Sequence, residues 1–309
     1  MTRRDTAEGM GSVRWAFRCG SWTPSRCDWL FAARCIQREE KERIGQFVFA
    51  KDAKSAMAGR LLLRRFVCER MGVPWSEFRL ERSPRGKPYL AAPTKVSSGS
   101  GGAWSFNLSH QGDYAVLAAE QGLQVGVDIM KNTMPGSKSV SEFFRIMTRQ
   151  FTAYEWSIIQ SAAADHRQLA AFYRHWALKE SFIKAIGTGL DFDLQRAEFH
   201  LPSEPPSQDQ VLRQTKMHLD GKEEGDWIFE HILEIVRSTS PLQMYSCFKP
   251  IVAETWGCHE SGSVRCSPCL STVSDLETDI SGLKITFARF SLDVSTKLRW
   301  YFLEPTEHD

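Results

Sequence analysis

Net charge is nearly absent from this chain: 39 Lys and Arg against 37 Asp and Glu leave only +2 over 309 residues. Nothing in that total would hold a polyanion, so nucleic acid is not an expected partner and only local basic clusters carry weight. Long apolar runs are missing too. No segment approaches the roughly 18 apolar residues of a membrane-spanning helix, and MTRRDTAEGMGSVRWAF at the start holds no apolar core of signal-peptide length. A cytosolic protein that does not engage a membrane is the expectation. Eight cysteines do not make a small-scaffold disulfide framework in a chain of this length, which agrees with a reducing compartment. Cys258-His259 and Cys266-Ser267-Pro268-Cys269 offer a single Cys-x-x-Cys with no second spaced pair. They read as loose thiols before they read as a zinc site. No Gly-rich phosphate loop, dinucleotide fingerprint or nucleophile elbow occurs.

What is present is patterning. Residues 28–72 read as helical, with Ile44, Phe47 and Val48 on one apolar patch and Met57, Leu61 and Cys68 on another, closed by Pro74. Residues 83–88 are a turn by composition, and 93–102 a Ser- and Gly-rich surface loop. Trp104, Phe106 and Leu108 then alternate with Ser105, Asn107 and Ser109, the period of a strand. Residues 114–119 and 123–130 give two more strands, read as a hairpin through Glu120-Gln121-Gly122. In the second of them Leu123, Val125, Val127 and Ile129 share one face, and Gln124, Gly126, Asp128 and Met130 the other. Helices resume near Ser141, and Thr152 with Glu155 has the form of a capping box. A long helix over 168–186 ends near Gly187-Thr188-Gly189. Strand pieces at 197–201 and 216–219 follow, with Asp220-Gly221 turning the chain back into 227–229. Each half is thus helices followed by a small antiparallel sheet, an α+β fold of two similar subdomains over 13–137 and 138–235. Residues 236–309 are a divergent tail, rich in Ser and Cys around 237–275 and without regular periodicity, where order is not expected.

Within the long helix Glu180 falls on the stripe of Leu169, Phe172, Tyr173, Trp176 and Ile183. A carboxylate on a buried face needs a cation. One reading supplies it from Lys184 as an i,i+4 pair. The other joins Glu180 to Asp128 around a hard metal ion such as Mg²⁺. Two further clusters stand out: Arg79, Arg82, Arg85 and Lys87 around Gly86, suited to a phosphate, and Asn107-Leu108-Ser109-His110, where a hydroxyl and an imidazole can donate to phosphate oxygens.

In order, Arg82-x-x-x-Gly86-Lys87-Pro88, Asn107-Leu108-Ser109-His110, Val125-Gly126-Val127-Asp128 and Trp176-x-x-Lys179-Glu180-x-x-x-Lys184 resemble the signatures of Sfp-type 4′-phosphopantetheinyl transferases. The likeness runs from about Val13 to Glu230. It implies a pseudo-dimer within one chain, monomeric in solution. The activity implied is transfer of the phosphopantetheine arm of coenzyme A to a serine of an acyl or peptidyl carrier domain, with release of adenosine 3′,5′-bisphosphate. By the same likeness Asp128 and Glu180 hold Mg²⁺, Glu180 takes the serine proton, and Lys184 stabilises or protonates the leaving group. Arg43, Arg82 and Lys87 would grip the coenzyme phosphates, with Ser83, Pro84, Arg85 and Gly86 in the same loop. Asn107, Leu108, Ser109 and His110 would line the other side, His110 on a phosphate oxygen. Ser181, Phe182 and Ile183 lie in the helical segment between Glu180 and Lys184 that faces the coenzyme. Carrier domains of fatty acid synthase, mitochondrial acyl carrier protein and aminoadipate-semialdehyde dehydrogenase type are the implied partners.

Two departures from that pattern carry expectations. Met130 stands where bacterial members have an acidic residue, so water or Gln111 would complete the metal shell. After 229 the sequence diverges, so the second sheet is expected to lack its closing strand and to leave an exposed edge. A Mg²⁺-dependent nucleotide hydrolase and a non-catalytic coenzyme A-binding module are the rival readings.

Overall fold

Two helices of equal length organise the two halves. The computed structural model describes residues 12–91, 102–202, 211–234, 242–250, 288–291 and 299–301. In the first half α1 (Arg26–Arg34) and α2 (Arg38–Gly45) lead into α3 (Ala50–Met71); in the second, α4 (Val140–Ile146) and α5 (Ala153–Ile159) lead into α6 (Asp165–Ile186). Both α3 and α6 run for 22 residues and stop at a glycine, Gly72 at φ 67° and Gly187 at φ 73°. That left-handed conformation satisfies a terminal carbonyl and would strain a side chain with a Cβ. The capping box at Thr152 and Glu155 forms as its spacing predicts, and Ser25 with Asp28 makes a second one at α1.

The strands are β1 (Ser12–Phe17), β2 (Leu80–Arg82), β3 (Pro88–Leu90), β4 (Trp104–Gln111), β5 (Tyr114–Gln121), β6 (Leu123–Lys131), β7 (Ala197–His200), β8 (Val211–Leu212), β9 (Lys216–Leu219), β10 (Lys222–Glu223), β11 (Ile228–Glu234), β12 (Leu242–Pro250), β13 (Ala288–Ser291) and β14 (Arg299–Tyr301). They form sheets of order β14-β13-β1-β5-β4, β6-β12-β11-β8 and β10-β9-β7, with β2 and β3 as a separate pair. Mixed helices and small antiparallel sheets are the expected α+β class.

Three features differ from the sequence reading. The hairpin at this point joins β4 to β5, with Gln111 opposite Tyr114, while β6 leaves that sheet and pairs with β12. β6, grouped by sequence with the first half, therefore belongs by pairing to the second sheet. Alternation locates a strand but cannot choose its neighbour. The chain after Asp220-Gly221 returns first as β10; Ile228 and Phe229 already belong to β11, in another sheet. The strand expected to be missing is supplied by residues 242–250, inside the range read as a tail: β12 lies between β6 and β11, pairing Tyr245 with Asp128 and Phe248 with Ile228. Most of the Ser- and Gly-rich loop, and Cys258, His259, Cys266 and Cys269, lie outside the described residues.

The layers follow from which faces are apolar. α3 packs Leu62, Phe66 and Val67 on Trp15, Phe106 and Leu117 of the first sheet. The opposite face of that sheet, through Ala16, Val116 and Ala118, meets Val125, Val127 and Ile129 of β6. α6 covers the other side, its Phe172, Leu178 and Phe182 joining Met130, Phe199, Met217 and Phe229. β4 and β6 share no backbone ladder. Instead the side chains of Ser105, Asn107 and Gln111 accept the N–H groups of Val125, Val127 and Lys131 at 3.3, 3.1 and 2.7 Å, so polar β4 residues substitute for a strand partner. A buried Arg14 completes the link, meeting Glu120 at 2.5 Å and Glu230 of β11 at 3.1 Å.

Gly126 sets how closely α6 lies on β6. A Cβ there would overlap the Ser181 carbonyl oxygen and stand 2.6 Å from the Ala185 nitrogen, both helix backbone that cannot step aside. Gly126→Ala is expected to cost about 1–3 kcal/mol by overpacking. Urea unfolding measures it, and wild-type stability in that variant would show that helix and strand are not in this contact.

Candidate active site

Because α6 lies directly over β6, Lys184 comes down on Asp128. The Lys184 Nζ donates to Asp128 Oδ1 at 2.5 Å and to Ser109 Oγ at 3.1 Å, and Ser109 donates to the same Oδ1 at 2.8 Å. Asp128 is 4% exposed, and its Oδ2 is buried with no hydrogen-bond partner among the described residues. One turn before Lys184, the half-buried Glu180 carboxylate likewise accepts no hydrogen bond among the described residues. Burial pushes its carboxyl pKa up; Lys184 opposes this and the negative charge of Asp128 adds to it. A buried carboxylate oxygen without a donor, beside a second carboxylate that resists ionisation, fits a hard divalent cation such as Mg²⁺. The simple i,i+4 alternative fails: the ion pair of Lys184 is with Asp128, across the helix–strand contact, rather than with Glu180.

Positive charge gathers beside this pair. Glu40 of α2 is met by Arg43 at 2.9 Å, Arg82 at 3.0 Å and Arg60 at 3.2 Å. Burial alone would raise the Glu40 pKa, but Arg82, Arg60 and Arg43 outweigh it and hold the carboxylate ionised. Burial lowers Arg60 to about 10 in spite of Glu40, with Arg82 and Arg43 lowering it further. One carboxylate thus orients three guanidiniums and leaves an excess of positive charge for a phosphate. His110, at the end of β4, borders the same group. Partial burial, then Lys184, Arg43 and Arg60, push its imidazole pKa down, so it is neutral near pH 7 and can accept or pass a proton.

The β2–β3 turn closes on the end of α6. Lys87 Nζ donates to the carbonyls of Lys184 and Ala185 at 3.0 and 3.2 Å, and Arg85 reaches Gly187 O at 3.3 Å and Asp191 at 2.8 Å. Cations at a helix C-terminus answer its free carbonyls and its dipole. Ser83 Oγ accepts the Lys87 N–H, Gly86 takes φ 82° at the turn, and Pro84 and Gly86 are exposed.

Family models match on both sides of Gly122: one described as 4′-phosphopantetheinyl transferase, N-terminal, over residues 20–122, and one described as 4′-phosphopantetheinyl transferase superfamily over 124–235. The chain is 57% identical over 224 residues to the L-aminoadipate-semialdehyde dehydrogenase-phosphopantetheinyl transferase of Xenopus laevis, covering 72% of this chain and 73% of that one. The human protein of the same name is 58% identical over 221 residues, 72% of this chain and 71% of its own. The chain belongs to the 4′-phosphopantetheinyl transferase family. A phosphopantetheinyl transferase from Thraustochytrium is 42% identical over 195 residues, 62% of this chain and 66% of that relative.

Within this transferase several motif residues serve the fold rather than facing the Asp128–Glu180 pair. Asn107 spends its carbonyl oxygen on the Val127 N–H, and Leu108 packs against the first core. Ser181 is fully buried with its hydroxyl on Leu178 O; Phe182 lies edge-on to Trp227; Ile183 is 5% exposed. Gln111 Oε1, expected toward the metal, accepts the Lys131 N–H, and Met130 is drawn into the aromatic core under α6. Lys87, expected on phosphate, caps α6. Conversely, Glu40 and Arg60 escaped the sequence reading. The only local signal was the Glu40–Arg43 spacing of three, which on a charged helix reads as solvated surface.

Proposed function

We propose that this transferase moves the 4′-phosphopantetheine of coenzyme A onto a serine hydroxyl of acyl or peptidyl carrier domains in the cytosol, as a monomer whose two halves form a pseudo-dimer. The observation that carries this reading is the buried, unpartnered Asp128 Oδ2 next to Glu180. Those two carboxylates would hold Mg²⁺, which when bound supplies neutralising charge on the pyrophosphate. The equal lengths and matching ends of α3 and α6 support the pseudo-dimer.

The chain's own groups supply the rest. The arginines around Glu40 bind the coenzyme nucleotide, with His110 beside its phosphates. Glu180 accepts the proton of the carrier serine as its oxygen bonds to phosphorus. The bond from that phosphorus to the adenosine 3′,5′-bisphosphate oxygen breaks, and the negative charge left there is met by Lys184, which exchanges Asp128 for the leaving group. The names of the animal relatives support a carrier domain of the aminoadipate-semialdehyde dehydrogenase type as acceptor; carrier domains of fatty acid synthase and mitochondrial acyl carrier protein are the further acceptors in this proposal. No helix among the described residues is long and apolar enough to cross a membrane.

Incubating the chain with coenzyme A, Mg²⁺ and an apo acyl carrier protein should add one phosphopantetheine to the carrier, read by mass spectrometry, and a chelator should stop it. Coenzyme consumed without gain by the carrier would mark a hydrolase. Coenzyme bound without turnover would mark a binding module.

A further inference from the structure

The outer face of the β7–β9–β10 sheet holds a cluster that phosphopantetheine transfer does not use. We propose that Glu198, His200 and His218 bind a divalent transition-metal ion of the zinc class. Glu198 stands directly opposite His218 in the β7–β9 register, and His200 follows two residues along β7, so all three side chains share one face. The alternate residues Ala197, Phe199 and Met217 point the other way, fully buried in the core. One ligand atom from each of the three lies within 4.8 Å of the others, close enough for a single ion between them.

Orientation is fixed from outside the trio. Tyr154 of α5 stacks on the His200 ring at 4.2 Å and 17°, and the His200 and His218 rings sit 4.4 Å apart. Partial burial would raise the Glu198 carboxyl pKa, but Thr152 and His200 hold it down, and Glu198 Oε1 is 2.9 Å from His200 Nε2. Supporting contacts of this kind are what hold ligating side chains ready. His218 Nδ1 is buried and has no hydrogen-bond partner among the described residues, an unsatisfied position that a metal would fill.

A Glu198–His200 hydrogen bond on a wet surface is the ordinary alternative, but it leaves His218 Nδ1 without a role. Two imidazole nitrogens and one carboxylate oxygen suit zinc, whereas Mg²⁺ prefers oxygen donors throughout. The site is therefore chemically distinct from the Asp128–Glu180 pair. Around the trio a cavity of about 440 Å³, lined also by Asp193 and Asp220, leaves room for water as a fourth ligand. A bound ion would tie β7 to β9 and so favour the folded second half.

The test begins with chelator-stripped protein dialysed against Zn²⁺ alone and counted by elemental mass spectrometry. It uses a background in which Cys258, Cys266 and Cys269 are changed to Ser, so that those thiols cannot contribute. One zinc per chain and a higher thermal midpoint with zinc are expected. His218→Gln and His200→Gln should each weaken binding by at least about tenfold and abolish the midpoint shift. Circular dichroism verifies folding; if one variant misfolds, the other gives the reading. Loss of binding in the Cys→Ser background, or unchanged binding in a folded His218→Gln, would overturn the proposal. Mg²⁺-dependent transfer by folded His218→Gln should persist, which keeps this result separate from that of the transfer assay.

Discussion

Glu180→Gln is expected to reduce kcat for carrier modification by about 10²- to 10⁴-fold while coenzyme A still binds, the range over which a positioned general base acts. The substitution keeps the shape of the side chain, so the packing of α6 over β6 is undisturbed, and removes both its basicity and its negative charge toward Mg²⁺. Burial followed by Asp128 raises the Glu180 pKa, and Lys184 only partly offsets them. The sign of the pH dependence follows. A base works when unprotonated, so the wild-type rate falls as pH drops through the pKa of Glu180, which burial raises and bound Mg²⁺ would lower. The variant should lose that acid limb along with its rate. Steady-state kinetics across pH and calorimetric titration with coenzyme A read both effects. A variant with wild-type kcat and a raised KM would assign Glu180 to ground-state binding and take the proton transfer away from it.

The sequence put Glu180 on the buried stripe of a strongly periodic helix, and the structure leaves it half-buried; the charge fully inside is its neighbour Lys179, which periodicity alone did not mark. The capping box at Thr152, the Gly187 stop and the two faces of β6 were legible because the information was local. What was not legible depended on partners far apart in the chain. Lys184 pairs with Asp128, 56 residues away, and no i,i+4 rule predicts that. β6 alternates as a hairpin strand would, yet pairs with β12, whose residues look irregular by composition. Asn107 and Gln111 look like site residues, being polar at a strand end, until the missing ladder between β4 and β6 shows what their oxygens satisfy. Arg60 sits inside an apolar helix run and gains its meaning only when Arg82 and Arg43 converge with it on Glu40.

Lys179→Met is expected to destabilise the protein by about 3–5 kcal/mol, the cost of leaving one member of a buried ion pair uncompensated. Lys179 and Glu155 are each 0% exposed and meet at 2.8 Å. Burial lowers the lysine pKa and raises that of the glutamate, and the attraction between them opposes both shifts. The pair is also fully hydrogen-bonded into the backbone. Lys179 donates to Leu194 O at 2.7 Å and Ala197 O at 2.5 Å, while Glu155 accepts the N–H groups of Thr152 at 2.9 Å and Phe199 at 3.0 Å. One salt bridge therefore fixes α5, α6 and the start of β7 in a single corner, and α6 is the element that carries Glu180 and Lys184. Methionine fills the volume of the lysine stem but strands the carboxylate and two carbonyls. Glu155→Leu added to Lys179→Met removes the stranded charge and should recover part of the loss. Recovery stays partial because the Thr152 and Phe199 amides lose their acceptor. Urea unfolding of the single and double variants measures the coupling. If Lys179→Met unfolds at the wild-type midpoint, the corner is held by its apolar packing alone, and the shape of the site does not depend on this pair.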